Sequence, residues 1–341
     1  MKKALVKGMK HDFQKIIQEF FIKYLNNERG TSENTIRNYR DTFVLLLEYI
    51  KKEKNIEIHK IRLEDVDHLL VTDFLDWLEK EKKVSISTRN NRLAGIRSFF
   101  KYLCNHYPMY LYQSTMILEI KAKNNQARSM NYLTVEAVKH LFSTFPKNNH
   151  KELRNLCIVL LLYESGARVS ELINIRTYEL KLSPPHTLVL HGKGNKTRII
   201  PIDKAVVDHI KEYINIYDIK NEDYLFKNNR NEQLTRKGIT YILQKAFNRA
   251  KKLSPTVYPE AISPHSMRHS KAMHLLENGV NLVYIRDFLG HSSVTTTEIY
   301  SKANPEIKRK YLEMASNNLI DHEDYNQEEK EELLEWLKKN I

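Results

Sequence analysis

Apolar residues in the first hundred positions return at the spacing of one helix face. Phe13, Ile16, Ile17, Phe20 and Tyr24 stand at i, i+3, i+4, i+7 and i+11, which predicts an amphipathic helix over 12–26 that ends near Gly30. Thr31-Ser32 offers a cap to a second helix with the stripe Ile36, Tyr39, Phe43, Leu46, Leu47 and Ile50. A third helix carries Val71, Phe74, Leu75 and Leu78. A fourth starts near Ser87-Thr88 and carries Leu93, Ile96, Phe99, Phe100 and Leu103. Each stripe needs partners to bury it, so the four predict a small helical bundle over residues 1–120.

The pattern breaks after that. Residues 121–131, Lys-Ala-Lys-Asn-Asn-Gln-Ala-Arg-Ser-Met-Asn, are polar, basic and aperiodic, and read as an interdomain linker. Periodicity resumes in a second domain, 132–320, where Thr134 precedes a helix and an apolar run spans 156–163. Thr187-Leu188-Val189-Leu190 and Thr197-Arg198-Ile199-Ile200-Pro201 predict a short β-hairpin around the turn His191–Lys196. Most of the remainder is helical, including 234–251, which opens Thr235-Arg236-Lys237. An acidic tail, 321–341, holds the apolar residues Leu333, Leu334, Trp336 and Leu337. The fold class expected is mainly α with a small antiparallel β-sheet, in two domains.

Charge adds a partner. A net charge of +13 draws the chain to polyanions. The excess is concentrated in residues 121–320, with 31 basic side chains against 18 acidic. A segment of that kind suits a phosphate backbone whose neutralisation releases counterions. Arg37 and Arg40 on the second helix, Arg89, Arg92 and Arg97 on the fourth, and Arg236 and Lys237 are candidates for DNA contacts. The two cysteines, Cys104 and Cys157, lie far apart in apolar surroundings and read as small buried hydrophobes of a reducing compartment. No stretch approaches 18 consecutive apolar residues and the start lacks a cleavable signal, so the expected location is cytoplasmic, with no membrane partner.

Candidate chemistry gathers in the second domain. Gly192-Lys193-Gly194 lacks the Gly-x4-Gly spacing and the Lys-Ser/Thr ending of a phosphate-binding P-loop. His265 and His269 are four apart, yet Ser266 stands where a zinc protease has glutamate and no cysteine is near, so no metal site is assigned. His269 and His274 read as satisfied helix residues. Two arginines, a lysine, two histidines and a tyrosine of this domain make an inventory for a phosphodiester: Arg168 and Arg268 to hold non-bridging oxygens, Lys193 to protonate a leaving oxygen, and Tyr300 as nucleophile. At pH 7 a free tyrosine is about one part in a thousand ionised, which puts about 4 kcal/mol between Tyr300 and its phenolate. His265 is the candidate base for that proton, and His291 a candidate phosphate ligand. Such a reaction stores the broken bond as a phosphotyrosine and requires no cofactor.

These residues stand as Gly166-Ala167-Arg168-Val169-Ser170-Glu171-Leu172, Gly192-Lys193-Gly194, His265-Ser266-Met267-Arg268, Leu289-Gly290-His291 and Tyr300. In that order the chain resembles the tyrosine recombinase (phage integrase) family. Ala167 stands where many members have leucine, a departure that touches nothing catalytic. The resemblance implies a four-helix core-binding (SAM-like) domain ahead of the catalytic domain, and a Glu171 carboxylate that orients Arg168. It implies strand exchange on double-stranded DNA by a homo-tetramer, the C-terminal segment passing to a neighbouring subunit, and a major-groove role for the 234–251 helix. Integration or excision of a mobile element is the expected role. Xer-like dimer resolution, a relaxing topoisomerase and a catalytically silent DNA-binding protein of the same fold are the alternatives. Accessory proteins, directionality and the DNA site are not encoded in any motif.

Overall fold

The stripe that begins at Phe13 forms a helix in two parts: α1, Phe13–Glu19, runs on as a π-helical stretch, Phe20–Glu28. The wider turn suits residues five apart, and Phe20 and Leu25 are both fully buried. The computed structural model describes residues 13–124, 131–146, 149–192, 196–291, 297 and 300. By its contacts the chain divides into two units, 1–127 and 128–341.

In the first unit, α2 (Glu33–Glu53), α3 (His68–Lys80) and α4 (Ile86–His106) follow the sequence stripes. Ser85 caps α4 by accepting the Thr88 backbone N–H at 3.2 Å, so this helix starts at Ile86, one residue before the expected Ser87. Ser32 is the N-cap of α2, but its hydroxyl meets Thr35 Oγ1 at 3.0 Å instead of a backbone N–H. The core is aromatic. Phe20 packs against Phe99 and Phe43 in edge-to-face geometry, with ring centroids 5.3 and 6.4 Å away. Truncating such a ring costs about 3–5 kcal/mol.

A fifth helix, α5 (Leu111–Glu119), joins the four expected. Its sequence shows only a thin stripe because part of its hold is polar: Gln113 donates to the carbonyls of Leu63 and Val66 at 2.7 and 2.8 Å. The expected linker also begins later than its composition suggested. Asn90 exchanges hydrogen bonds with the Lys123 backbone at 2.8 and 3.1 Å, and Lys123 Nζ reaches Glu79 at 2.7 Å, so residues up to there are fastened to this unit. Residues 125–130 lie outside the described residues.

The second unit is built on helices α6 (Val135–Ser143), α7 (His150–Glu164), α9 (Lys204–Tyr217), α10 (Arg236–Leu253), α11 (Pro264–Glu277) and α12 (Leu282–Leu289), with a short α8 (Val169–Leu172). Thr134 caps α6 and Thr235 caps α10, as their positions implied. The apolar run at 156–163 is the buried side of α7, where Cys157 is fully buried; Cys104 is only partly so. The hairpin is joined by a third strand too short to see in sequence. β1 (Leu180–Lys181), β2 (Thr187–His191) and β3 (Thr197–Pro201) form an antiparallel sheet in that order, with Leu188 facing Ile200 and His191 facing Thr197. Residues 193–195, between β2 and β3 in the chain, are outside the described residues. So is the acidic tail, with its candidate exchange segment.

Candidate active site

Arg168 is the N-cap of α8, and Glu171 closes the cap from three residues on. One carboxylate oxygen accepts the Arg168 backbone N–H at 2.8 Å and the other accepts its Nη1 at 2.8 Å. The same carboxylate takes two bonds from Arg198 on β3, at 2.7 and 3.2 Å. Burial works against ionising Glu171, but the hydrogen bonds from Arg198 and Arg168 outweigh it and hold its pKa below the usual range. Arg198 Nε continues to the carbonyl of Phe288 at 2.9 Å, tying the sheet to the end of α12.

That end needs glycine. Gly290 adopts φ +63°, and a Cβ there would stand 3.0 Å from Arg198 Nη1. Gly166, φ +56°, would set a Cβ 2.8 Å from the Phe288 ring. The two glycines of the sequence motifs let the loops that carry Arg168 and His291 close on each other. Arg268, from α11, fills the space between: 3% exposed, it donates to the Gly166 carbonyl at 2.6 Å and the Leu289 carbonyl at 2.5 Å. Arg168 Nη2 reaches the Gly290 carbonyl at 3.4 Å. Burial and the adjacent Arg168 charge pull the Arg268 pKa down to about 10.

Three histidines and the tyrosine border these guanidiniums. Tyr300 is 1% exposed and packs with Met273, Leu276, Ile285 and Leu289. Its hydroxyl lies 3.0 Å from His269 Nδ1. The sequence points to His265 for this contact and to a structural His269; the structure places the Tyr300 hydroxyl on His269 instead. Both residues lie on the same face of α11 at i and i+4, with ring centroids 6.4 Å apart, and Tyr300 stands against the second. His274 does fit the structural reading: it is buried between the Tyr163 hydroxyl at 2.8 Å and the Leu133 carbonyl at 2.9 Å. His291 Nδ1 contacts Thr297 Oγ1 at 3.0 Å.

The electrostatics are shared. Burial, then the neighbouring His265 and Arg268 charges, lower the His269 pKa to about 4. Burial with Arg268 and Arg168 does the same for His291, to about 4. His265 is lowered by desolvation and by the same two arginines. Burial raises the Tyr300 pKa, against the pull of Arg268 and Arg168. At neutral pH the site holds neutral imidazoles, a neutral phenol and a surplus of guanidinium charge.

Arg198 escaped sequence reading, because a lone arginine in a strand carries no signal; only its place five residues after Lys193 could have marked it. Lys193 itself lies outside the described residues. Among the DNA-contact candidates, Arg37, Arg40, Arg236 and Lys237 are exposed, Arg40 with its guanidinium on Asp41 at 2.8 Å. Arg89 is not available: it is 4% exposed and paired with Glu79 at 3.1 Å, a helix-to-helix strut. Arg92 donates to the Asn38 carbonyl and Thr42, joining α4 to α2. Among the described residues no three metal-binding side chains come together, and no helix is long and apolar enough to cross a membrane.

The profile described as Phage integrase family matches residues 131–306, and that of the Phage integrase N-terminal SAM-like domain matches 17–106. A protein of Sinorhizobium fredii named as an integrase/recombinase, y4rC, is 31% identical over 88% of this chain and 91% of its own. The tyrosine recombinase XerC of Staphylococcus epidermidis (strain ATCC 35984) is 29% identical over 87% of this chain and 96% of its own. Among solved structures, the XerH site-specific recombinase bound to a palindromic difH substrate shares the fold, with a TM-score of 0.67, 20% identity and coverage of 90% of each chain.

Proposed function

Because the chain belongs to the phage integrase family of tyrosine recombinases, we propose that it is a site-specific DNA recombinase that breaks and rejoins strands through a 3′-phosphotyrosyl bond at Tyr300. One observation carries this reading. Arg168, Arg198 and Arg268 converge on one site in which, among the described residues bonded to them, Glu171 is the single carboxylate. A partly buried cluster with more cations than acids is costly by itself and is relieved by an anionic ligand. The neutral histidines add hydrogen-bonding groups without adding charge.

In this reading a phosphodiester enters between Arg168, Arg268 and His291. Glu171 and Arg198 hold Arg168 in a fixed fork, so its donors are already aimed as charge builds on the non-bridging oxygens. The Tyr300 oxygen attacks phosphorus, the bond to the 5′ oxygen breaks, and Lys193, which follows β2 in the chain, protonates the departing oxygen. A 5′ hydroxyl from a second strand reverses the step. Catalysis needs no metal or nucleotide in this scheme. Double-stranded DNA is the partner and a homo-tetramer on two synapsed sites the working assembly, located in the cytoplasm. The exposed Arg37, Arg40, Arg236 and Lys237 serve as backbone contacts. We take integration or excision of a mobile element as the role; the XerC relative, matched over nearly its full length, keeps dimer resolution as the second reading.

The test is covalent trapping on a nicked suicide substrate taken from the DNA flanking the gene, with EDTA present. Wild type is expected to give a covalent protein–DNA band that Tyr300→Phe lacks while its DNA affinity stays within a few-fold. Tight binding with no adduct on any candidate site would favour a silent DNA-binding protein. An adduct that depends on added divalent metal would overturn the mechanism.

A further inference from the structure

Among the described residues, the phenol of Tyr300 has one hydrogen-bond partner, His269, a residue outside the His-x-x-Arg motif. We propose that His269 is a catalytic residue, the direct acceptor of the Tyr300 proton, with its Nδ1 at 3.0 Å from the phenol oxygen. This rests on the strand-cleavage reading above and deepens it.

The position of His269 follows from the helix. His265, Arg268 and His269 share the first turns of α11, and Arg268 is fixed by two carbonyls, so the His269 ring is held beside the guanidinium cluster. Tyr300 is placed against that ring by Met273, Leu276, Ile285 and Leu289. The charged and titratable groups around the pair are His265 and Arg268 on α11, Arg168 at the start of α8, and His291 after α12. Burial and the cationic surroundings favour the neutral imidazole, and with the phenol donating, Nδ1 is its unprotonated nitrogen. A phosphodiester anion between the two arginines offsets the charges that depress this imidazole, so arrival of DNA raises its basicity when the proton must leave. In the step itself the O–H bond of Tyr300 breaks and its proton goes to Nδ1. The phenol oxygen bonds to phosphorus, and the P–O5′ bond breaks with that oxygen protonated by Lys193. His265, the next ring along the helix face, stands toward solvent and can pass the proton on.

The experiment is single-turnover formation of the covalent adduct by wild type, His269→Ala, His269→Asn and Lys193→Ala, with melting temperatures and DNA affinity measured alongside. Two substrates are used: the ordinary nicked DNA and one with sulfur replacing the bridging 5′ oxygen at the cut. A thiolate leaves without a proton, so sulfur removes the need for Lys193 and leaves the need for a base at the nucleophile. His269→Ala and His269→Asn are expected to be about 100-fold slow on both substrates, while Lys193→Ala recovers on sulfur. Asparagine keeps a hydrogen-bond acceptor near the Nδ1 position, and it carries the test if the alanine variant does not fold. Rates within threefold of wild type for either variant, recovery of either on sulfur, or faster cleavage by the alanine variant would overturn the assignment. Absence of an adduct from wild type itself would instead sink the strand-cleavage reading on which the assignment depends.

Discussion

Arginines held by internal hydrogen bonds do different things in the two units. In the first, Arg89 ends on Glu79, Arg92 on the Asn38 carbonyl and Arg97 on the Ile120 carbonyl. Each joins one helix to another segment, and the three stand in separate places. In the second, Arg168, Arg198 and Arg268 meet in one place around Glu171 and around the carbonyls of Gly166, Phe288, Leu289 and Gly290. An internal hydrogen-bonding partner alone therefore does not mark a candidate functional arginine. Convergence without enough counter-charge does, because the protein bears a desolvation and repulsion cost there that only an anion offsets.

The contrast is open to attack from several sides. Arg168→Ala and Arg268→Ala each remove charge stabilisation of the transition state and should slow covalent cleavage by about 10²- to 10³-fold, read in a single-turnover assay. Near-wild-type rates would make these arginines struts like those of the first unit. Arg198→Ala should slow cleavage less, about 100-fold, by letting the Arg168 fork shift. It should also cost about 3 kcal/mol of stability, since Glu171 loses one partner of a buried pair. A melting change with unaltered cleavage would assign Arg198 to the scaffold alone.

Acid should separate the units further. His269 and His291 have folded pKa values near 4, below their unfolded value, so the unfolded chain binds more protons between about pH 6.5 and 4. Their contribution to stability is full above that window and is lost as pH falls through it; the lowered Glu171 pKa adds in the same sense at its lower edge. Melting of the second unit, followed by calorimetry from pH 7 to 4, should decline, and bound DNA should shift the decline. A flat profile would contradict the neutral, buried histidines. The smallest effect belongs to the exposed arginines. Arg37→Ala should weaken DNA binding a few-fold and reduce the salt slope by about one, whereas Arg89→Ala should lower the melting temperature of the first unit and leave the salt slope unchanged.

The sequence carried the site unevenly, for physical reasons. Arg168, Arg268 and His291 were legible because each is embedded in a local motif whose glycines and caps are needed where they stand, as at Gly166 and Gly290. The helical stripes were legible because burial of Phe43, Leu46 and Ile50 or of Phe99 and Phe100 repeats with the helix period. Arg198 and α5 were hidden, since both are held by polar contacts to segments distant in sequence. The meaning of His269 was hidden for the same reason. Its i, i+4 relation to His265 is visible in sequence, but its partner lies 31 residues further on. Arg89 misled because a basic residue on a helix looks the same in sequence whether it faces solvent or a glutamate.

The most direct test of the central claim is to identify the residue that becomes attached to DNA. Trapped wild-type complex would be digested with nuclease and protease and the modified peptide sequenced by mass spectrometry. The account predicts a phosphonucleotide on Tyr300, joined through the 3′ phosphate. Attachment at any other side chain, or through a 5′ phosphate, would contradict it.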